Sequence, residues 1–93
     1  MNKYVIIQTG RFKKDLKLIK KRGYDLSLLT KVVDTLANGE KLEPKYKDHG
    51  LIGKFTNCRE CHITPDWLLV YEYNEEKLYL YLTRTGTHSD ILC

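Results

Sequence analysis

The sequence L-Y-L-Y-L-T at residues 78–83 decides the class of fold. Leucines alternate there with tyrosines and a threonine, which is the period of a β-strand with one buried face. We expect the leucines to face a core and the tyrosines and Thr83 to face the other side. Such alternation is typical of an antiparallel sheet that helices cover on one face.

Three more strands are predicted elsewhere in the chain. Residues 54–63 and 67–73 are strand candidates separated by turn residues from each other and from the last strand, which extends to residue 84. The short β-branched run Y-V-I-I-Q at residues 4–8 predicts a first strand, although periodicity alone does not distinguish it from a buried helical turn.

Two helices are predicted after the first strand. Apolar residues recur at helical spacing in residues 11–22, where lysines fill most other positions and Thr9 can cap the start. A second apolar stripe follows Asp25, another capping residue, and ends at the Asn-Gly pair 38–39. We expect the two helices to pack as an antiparallel hairpin.

This order of elements predicts an α+β domain. The expected architecture is an N-terminal strand, a two-helix hairpin and then a mostly antiparallel four-stranded sheet. Residues 40–53 show no sustained period and predict a loop. Since 93 residues are the size of one small domain, we expect a single domain spanning residues 1–93.

Composition excludes several classes of protein. Hydrophobic residues make up 42% and charged residues 30% of the chain, as in ordinary globular proteins, which argues against disorder. No apolar run approaches the roughly 20 residues needed to span a bilayer, and the first residues lack the layout of a signal peptide. We therefore expect a soluble, cytoplasmic protein with no membrane partner.

Positive charge is concentrated in the N-terminal half of the chain. Residues 1–50 hold twelve basic and six acidic residues, whereas residues 51–93 hold four and six. Clustered lysines and arginines attract phosphates, so RNA is one candidate partner. A solvated helix face is the alternative, and charge alone leaves both open.

The sequence C-R-E-C-H at residues 58–62 matches a haem-attachment pattern. Its expected strand context argues against haem, because residues three apart in an extended segment point to opposite faces. The same geometry disfavours a zinc site. Three cysteines, Cys58, Cys61 and Cys93, are also too few for a secreted disulfide scaffold. We expect reduced thiols, and neither a metal nor another cofactor.

The three histidines are the most informative polar residues. His49 lies in the predicted loop, His62 late in a strand and His88 after the last strand. Imidazole titrates at about pH 6.5, so it can give or take a proton near neutrality. Asp66, in the turn after His62, can join them. Spacing alone does not show that these side chains converge, and a lone surface histidine is commonly just solvated.

Three blocks of sequence resemble a known family: K-Y-K-D-H-G-L at 45–51, R-E-C-H-I-T-P-D-W-L-L-V-Y at 59–71 and L-T-R-T-G-T-H-S at 82–89. They look like the YafQ branch of the RelE/ParE toxin superfamily, the ribosome-dependent mRNA endonucleases of bacterial type II toxin-antitoxin systems. The resemblance covers essentially the whole chain and implies a RelE-like fold. Three blocks in the right order are far more specific than any one motif.

The resemblance implies an active site made of His49, His62, Asp66 and His88. It implies RNA cleavage by attack of a ribose 2′-hydroxyl on its neighbouring phosphate, which requires a base and an acid but no metal. We expect His49 to be closest to the general base, with Asp66 and His88 as acid or phosphate-orienting partners. His62 is expected to contact or support the substrate.

Five further residues are candidate contacts with the substrate. Lys54, Arg59 and Arg84 can hold a phosphate, with ordinary strand-face charge as the alternative. Trp67 can stack on a base, but a tryptophan that opens an apolar strand commonly packs in a core. Leu92 takes the position at which the family usually has an aromatic residue, and it offers no π-face for stacking.

The resemblance also implies partners. These are a DinJ-like antitoxin, the ribosome and mRNA, with operator DNA contacted only through the antitoxin complex. Two other classes remain open. A ParE-like inhibitor of gyrase could use the same scaffold, but it would not require three histidines and Asp66. A basic RNA-binding module would keep the histidines passive.

Overall fold

The structure, a computed structural model, describes residues 2–53 and 56–92, and of Leu92 it describes the backbone alone. The described part of the chain does not include Lys54, Cys93 or the side chain of Leu92. The predictions made for these three residues therefore fall outside the described residues.

The described residues form five strands and three helices. In order they are β1 (Val5–Gln8), α1 (Gly10–Lys21), α2 (Leu26–Ala37), β2 (His49–Gly50), β3 (Arg59–Thr64), β4 (Trp67–Asn74), β5 (Tyr79–Gly86) and α3 (His88–Leu92). A short 3-10 turn, Pro44–Tyr46, precedes β2. None of these helices is long and apolar enough to cross a bilayer.

The strands form one sheet in the order β1-β5-β4-β3-β2. The β1 strand runs parallel to β5, and the three other pairs are antiparallel. The predicted α+β architecture with a mostly antiparallel sheet is confirmed.

Two short elements differ from the sequence prediction. The strand β2 lies inside the predicted loop and pairs with Arg59 and Glu60 of β3, so the sheet has five strands rather than four. The helix α3 forms in the C-terminal tail. A strand of two residues and a helix of five are too short to produce a recognisable period, and both depend on distant contacts.

Local sequence sets the ends of the two long helices. The Thr9 hydroxyl accepts a hydrogen bond from the backbone N–H of Phe12 at 3.1 Å, and the Asp25 carboxylate accepts one from Ser27 at 3.0 Å. Both predicted N-caps are therefore confirmed. The second helix ends before Gly39, whose φ of +78° is a left-handed conformation that glycine adopts without strain.

The larger core lies between the helices and one face of the sheet. On β5, Leu80 and Leu82 are 0% and 3% exposed beneath the helices, whereas Tyr79 and Tyr81 on the other face are half-buried. The predicted alternation is confirmed over these four residues, whereas the prediction that Leu78 faces the core is wrong, because Leu78 lies in the turn before β5 and is 41% exposed. Burial of each large apolar side chain stabilises the fold by about 1.5–3 kcal/mol.

A smaller apolar cluster lies on the opposite face of the sheet. It consists of Cys58, Leu68, Val70 and Ile91, and Ile91 seats α3 on the sheet. Since Cys61 belongs to the larger core, the two cysteines point to opposite faces, as predicted. Burial raises the pKa of both thiols, to about 12 for Cys61, which keeps them protonated at neutral pH.

Candidate active site

The three histidines meet near one edge of the sheet, where β2, β3 and the start of α3 lie close together. The ring centroids of His49 and His62 are 6.3 Å apart, and those of His62 and His88 are 5.5 Å apart. The rings therefore form a row with His62 in the middle, which we call the histidine row. The convergence that spacing could not establish is present in the fold.

Asp66 extends the histidine row at the His88 end. The turn between β3 and β4 carries it, and its Oδ1 lies 3.0 Å from Nδ1 of His88. The hydrogen bond from His88 lowers the pKa of the Asp66 carboxyl, so this group is ionised at neutral pH. Because an ionised carboxylate only accepts, Nδ1 of His88 carries a proton and Nε2 is left to face a substrate.

Glu60 provides a second carboxylate at the other end of the row. It stands directly opposite His49 in the β2–β3 pair, with its Oε1 3.4 Å from Nε2 of the imidazole. The carbonyl oxygen of Lys47 lies 2.8 Å from Nδ1 of His49. A carbonyl only accepts, so Nδ1 donates and Nε2 is the nitrogen of His49 available for proton transfer.

Sequence reasoning did not select Glu60, although a signal for it was available. Glu60 and His62 are two residues apart on one strand, and such residues share a face of the sheet. What the sequence did not show is that β2 would bring His49 to that same face.

The histidine row is open to solvent. The side chains of His49 and His88 are 48% and 47% exposed, and that of Asp66 is 73% exposed. His62 is half-buried between its neighbours. Groups this accessible can meet a large polymeric substrate, which an enclosed pocket would exclude.

A basic groove of about 510 Å³ lies beside His62, between α2 and the turn from β3 to β4. Its lining includes Lys31 of α2, and Lys45, Tyr46 and Lys47 in and after the 3-10 turn. Ammonium groups attract a polyanion and an aromatic ring can stack on a base. None of the three lysines was a substrate-binding candidate from the sequence, because only the fold brings them beside His62.

The sequence model of the bacterial toxin YafQ of type II toxin-antitoxin systems matches residues 4–93. The chain belongs to the YafQ toxin family.

Individual YafQ relatives agree with this assignment. The mRNA interferase toxin YafQ of Escherichia coli strain K12 is 38% identical over 82 residues, which are 87% of each chain. A metal-bound toxin from Helicobacter pylori is 48% identical, with a TM-score of 0.89 over 95% of this chain and 98% of that one. YafQ in the Escherichia coli DinJ-YafQ complex is 35% identical, with a TM-score of 0.88 over 98% and 99%.

In residues 2–53 and 56–92, no three His, Cys, Asp or Glu side chains are grouped as ligands for a metal ion.

The two arginines predicted to bind phosphate do not join the histidine row. Arg59 points to the opposite face of β3 from His62, with its Nη2 3.1 Å from Oδ2 of Asp48. Arg84 is 8% exposed, and its Nε donates to Oδ2 of Asp15 at 2.7 Å. Arg84 thus ties β5 to α1, and its place in the structure favours a stabilising role over contact with a phosphate.

The side chain of Trp67 is also buried in this YafQ-family fold. Its side chain is 1% exposed in the larger core, with its ring centroid 5.1 Å from that of Tyr24. The indole N–H donates to Oγ1 of Thr85 at 2.9 Å. This placement supports the packing alternative for Trp67, since a buried ring offers no face to a base.

Proposed function

We propose that this chain is the toxin of a type II toxin-antitoxin system and acts as an mRNA interferase, an endoribonuclease that cuts mRNA on the ribosome and so inhibits translation. The histidine row with Asp66 is the observation that carries the proposal. The name of the Escherichia coli relative, mRNA interferase toxin YafQ, supports the same activity.

In the proposed reaction, a ribose 2′-oxygen attacks the adjacent phosphorus and the bond from phosphorus to the 5′-oxygen of the next nucleotide breaks. The products are a 2′,3′-cyclic phosphate and a 5′-hydroxyl end. A base takes the 2′-proton, and an acid supplies a proton to the leaving 5′-oxygen. Side chains provide both proton transfers, so the route requires neither a metal nor another cofactor.

The spacing of the rings suits this reaction. The ring centroids of His49 and His88 lie 6.3 and 5.5 Å from that of His62, so a phosphate hydrogen-bonded to His62 at about 3 Å has an outer imidazole on each side. In-line attack places the entering and leaving oxygens on opposite sides of the phosphorus. A base and an acid at the two ends, with His62 against the phosphate between them, match that requirement.

The hydrogen-bond partners of His49 and His88 indicate which of the two is the base and which is the acid. His49 holds its Nδ1 proton on the Lys47 carbonyl, and its Nε2 lies 3.4 Å from the Glu60 carboxylate, a longer contact than the 3.0 Å between His88 and Asp66, so Nε2 of His49 is the nitrogen that takes up a proton. His88 is paired with the Asp66 carboxylate, which stabilises a protonated imidazole. We therefore assign the base to His49 and the acid to His88, with Asp66 orienting the acid.

The proposed partners follow from the same surfaces. The basic groove would take mRNA beside His62, and the lysines of α1 are available to ribosomal RNA or to the antitoxin. We infer a DinJ-like antitoxin because an Escherichia coli relative forms a DinJ-YafQ complex. Operator DNA would be met only through that complex, and the activity would reside in the single domain of residues 1–93, in the cytoplasm.

Mapping mRNA ends after incubation with translating ribosomes tests the proposal. We expect cuts at a fixed position relative to codons, with 2′,3′-cyclic phosphate ends. Inhibition of DNA supercoiling by gyrase without RNA cuts would support the ParE-like alternative. Binding to ribosomes without any cut would support a passive RNA-binding module.

A further inference from the structure

The position of His88 depends on a pair of hydrogen bonds at the start of α3. The backbone N–H of Thr87 donates to Oδ2 of Asp90 at 2.9 Å, and the N–H of Asp90 donates to Oγ1 of Thr87 at 3.2 Å. This is a reciprocal capping box, with Asp90 in the place commonly taken by Glu or Gln. His88 follows Thr87 directly, so the box holds the backbone from which its imidazole projects.

Arg22 reaches this capping box from the end of α1. Its Nη1 lies 2.7 Å from Oδ2 of Asp90, and its Nη2 lies 3.3 Å from Oδ1. Two-point pairs of this kind fix direction as well as distance. The hydrogen bonds from Arg22 and Thr87 hold the pKa of the Asp90 carboxyl well below its usual range, so the pair is fully charged at neutral pH.

Two residues of β5, Arg84 and Gly86, also help to place Asp90. Arg84 donates from Nη2 to the backbone carbonyl of Asp90 at 3.2 Å. Gly86 leaves room for the Asp90 side chain, because a Cβ at Gly86 would lie 2.9 Å from the Cβ of Asp90. The Asp90 side chain is thus held between α1 and the end of β5.

We propose that Arg22 and Asp90 form a latch that positions His88 for catalysis, and that Arg22 acts through α3 rather than on the substrate. The inference rests on the proposed nuclease function. A helix of five residues does not maintain its own conformation, so its orientation must come from such contacts. Misplacement of a catalytic group by about 1 Å can lower a rate by roughly 10²-fold.

The first test compares Arg22→Gln with Lys77→Gln. Both variants remove one positive charge from an exposed side chain, and Lys77 lies in the turn between β4 and β5, away from α3. We expect Arg22→Gln to lower kcat by about tenfold or more with KM within about twofold, because His88 is misplaced while mRNA binding remains. Lys77→Gln should retain the kcat of the unaltered protein.

A conservative substitution of Arg22 distinguishes an effect on the position of His88 from a simple loss of positive charge. Arg22→Lys should recover part of the lost kcat, because an ammonium group can still contact one oxygen of Asp90. Equal kcat for Arg22→Gln and Lys77→Gln would overturn the proposal.

A measurement without RNA keeps this inference separate from the proposed function. NMR signals of the His88 imidazole and of the α3 backbone should shift in Arg22→Gln, while signals of Leu80 in the larger core stay in place. Unchanged His88 signals in that variant would refute the latch. If the unaltered protein cuts no mRNA, the proposed nuclease function fails, and the NMR comparison still decides whether Arg22 positions His88.

Discussion

At the scale of single residues, burial and hydrogen-bond partners determine what a side chain can do. Arginine and tryptophan are types that bind RNA and also types that stabilise a fold. Arg84 and Trp67 are 8% and 1% exposed and bond to Asp15 and Thr85, so this fold uses them internally. His49 and His88, by contrast, have side chains that are 48% and 47% exposed.

Alanine at His49, Asp66 or His88 should abolish toxicity without unfolding the protein. Loss of an acid or base lowers a rate by about 10²-fold or more, whereas substitution of an exposed side chain usually changes stability by about 0.5 kcal/mol or less. Growth after induction and thermal unfolding are the measurements. Glu76→Ala, in the exposed turn between β4 and β5, is the control and should remain toxic. Full toxicity in all three variants would contradict the proposed site.

At the scale of elements, one ion pair holds the first helix on the sheet. Asp15 of α1 is 11% exposed and Arg84 of β5 is 10% exposed at the side chain, with 2.7 Å between Oδ2 and Nε. Oδ2 of Asp15 also accepts the backbone N–H of Thr85 at 3.1 Å. Removal of one partner would leave the other charge buried without compensation.

Asp15→Asn should therefore lower the free energy of unfolding by about 3 kcal/mol, the range found when one member of a buried pair is removed. Urea unfolding at neutral pH measures this change. Asp34→Asn removes an exposed carboxylate from α2 and serves as the matched control, with an expected change of about 0.5 kcal/mol or less. A loss below about 1 kcal/mol for Asp15→Asn would show that Arg84 does not need this partner.

At the scale of the whole molecule, the fold brings positively charged side chains together beside His62. The groove at His62 takes Lys31 from α2 and Lys47 from the segment before β2, residues that are far apart in the chain. Each lysine that neutralises a phosphate of single-stranded RNA contributes about 0.7 to the slope of log affinity against log salt.

A double variant, Lys31→Gln with Lys47→Gln, should reduce the slope of log RNA affinity against log salt by about 1.4 and weaken RNA binding at low salt. Titration of a short RNA that cannot be cleaved, made with 2′-O-methyl riboses, gives the slope at several salt concentrations. Lys3→Gln with Lys77→Gln removes the same charge outside the groove lining and should leave the slope nearly unchanged. Equal effects of the two double variants would mean that net charge, rather than the groove, attracts RNA.

Stability of the whole molecule should decrease in acid. The pKa of the Asp90 carboxyl is lower in the folded protein than in the unfolded chain, where it is about 3.9. Its contribution is therefore complete above that pH and is lost as the pH falls. Unfolding by urea between pH 7 and pH 2 should show this loss, with a smaller pH dependence in Asp90→Asn. Parallel curves for the two proteins would contradict the assignment.

The sequence by itself determined the parts of this protein that depend on neighbouring residues. Alternation at residues 79–82 identified β5, helical spacing identified α1 and α2, and Thr9 and Asp25 identified where those helices begin. These features are local, because a strand period, a helix period or a cap involves residues within a few positions of one another. The family motifs then named His49, His62, Asp66 and His88 as one group.

Only the tertiary structure decided how those residues meet. The strand β2 and the helix α3 are held by pairing with β3, by Arg22 and by Ile91, none of which a local pattern contains. For the same reason the basic groove, the burial of Arg84 and the contact of Glu60 with His49 were not predictable. Local pattern specifies a period and a face, whereas the distance between two side chains far apart in the chain is set by how the whole sheet and its helices pack.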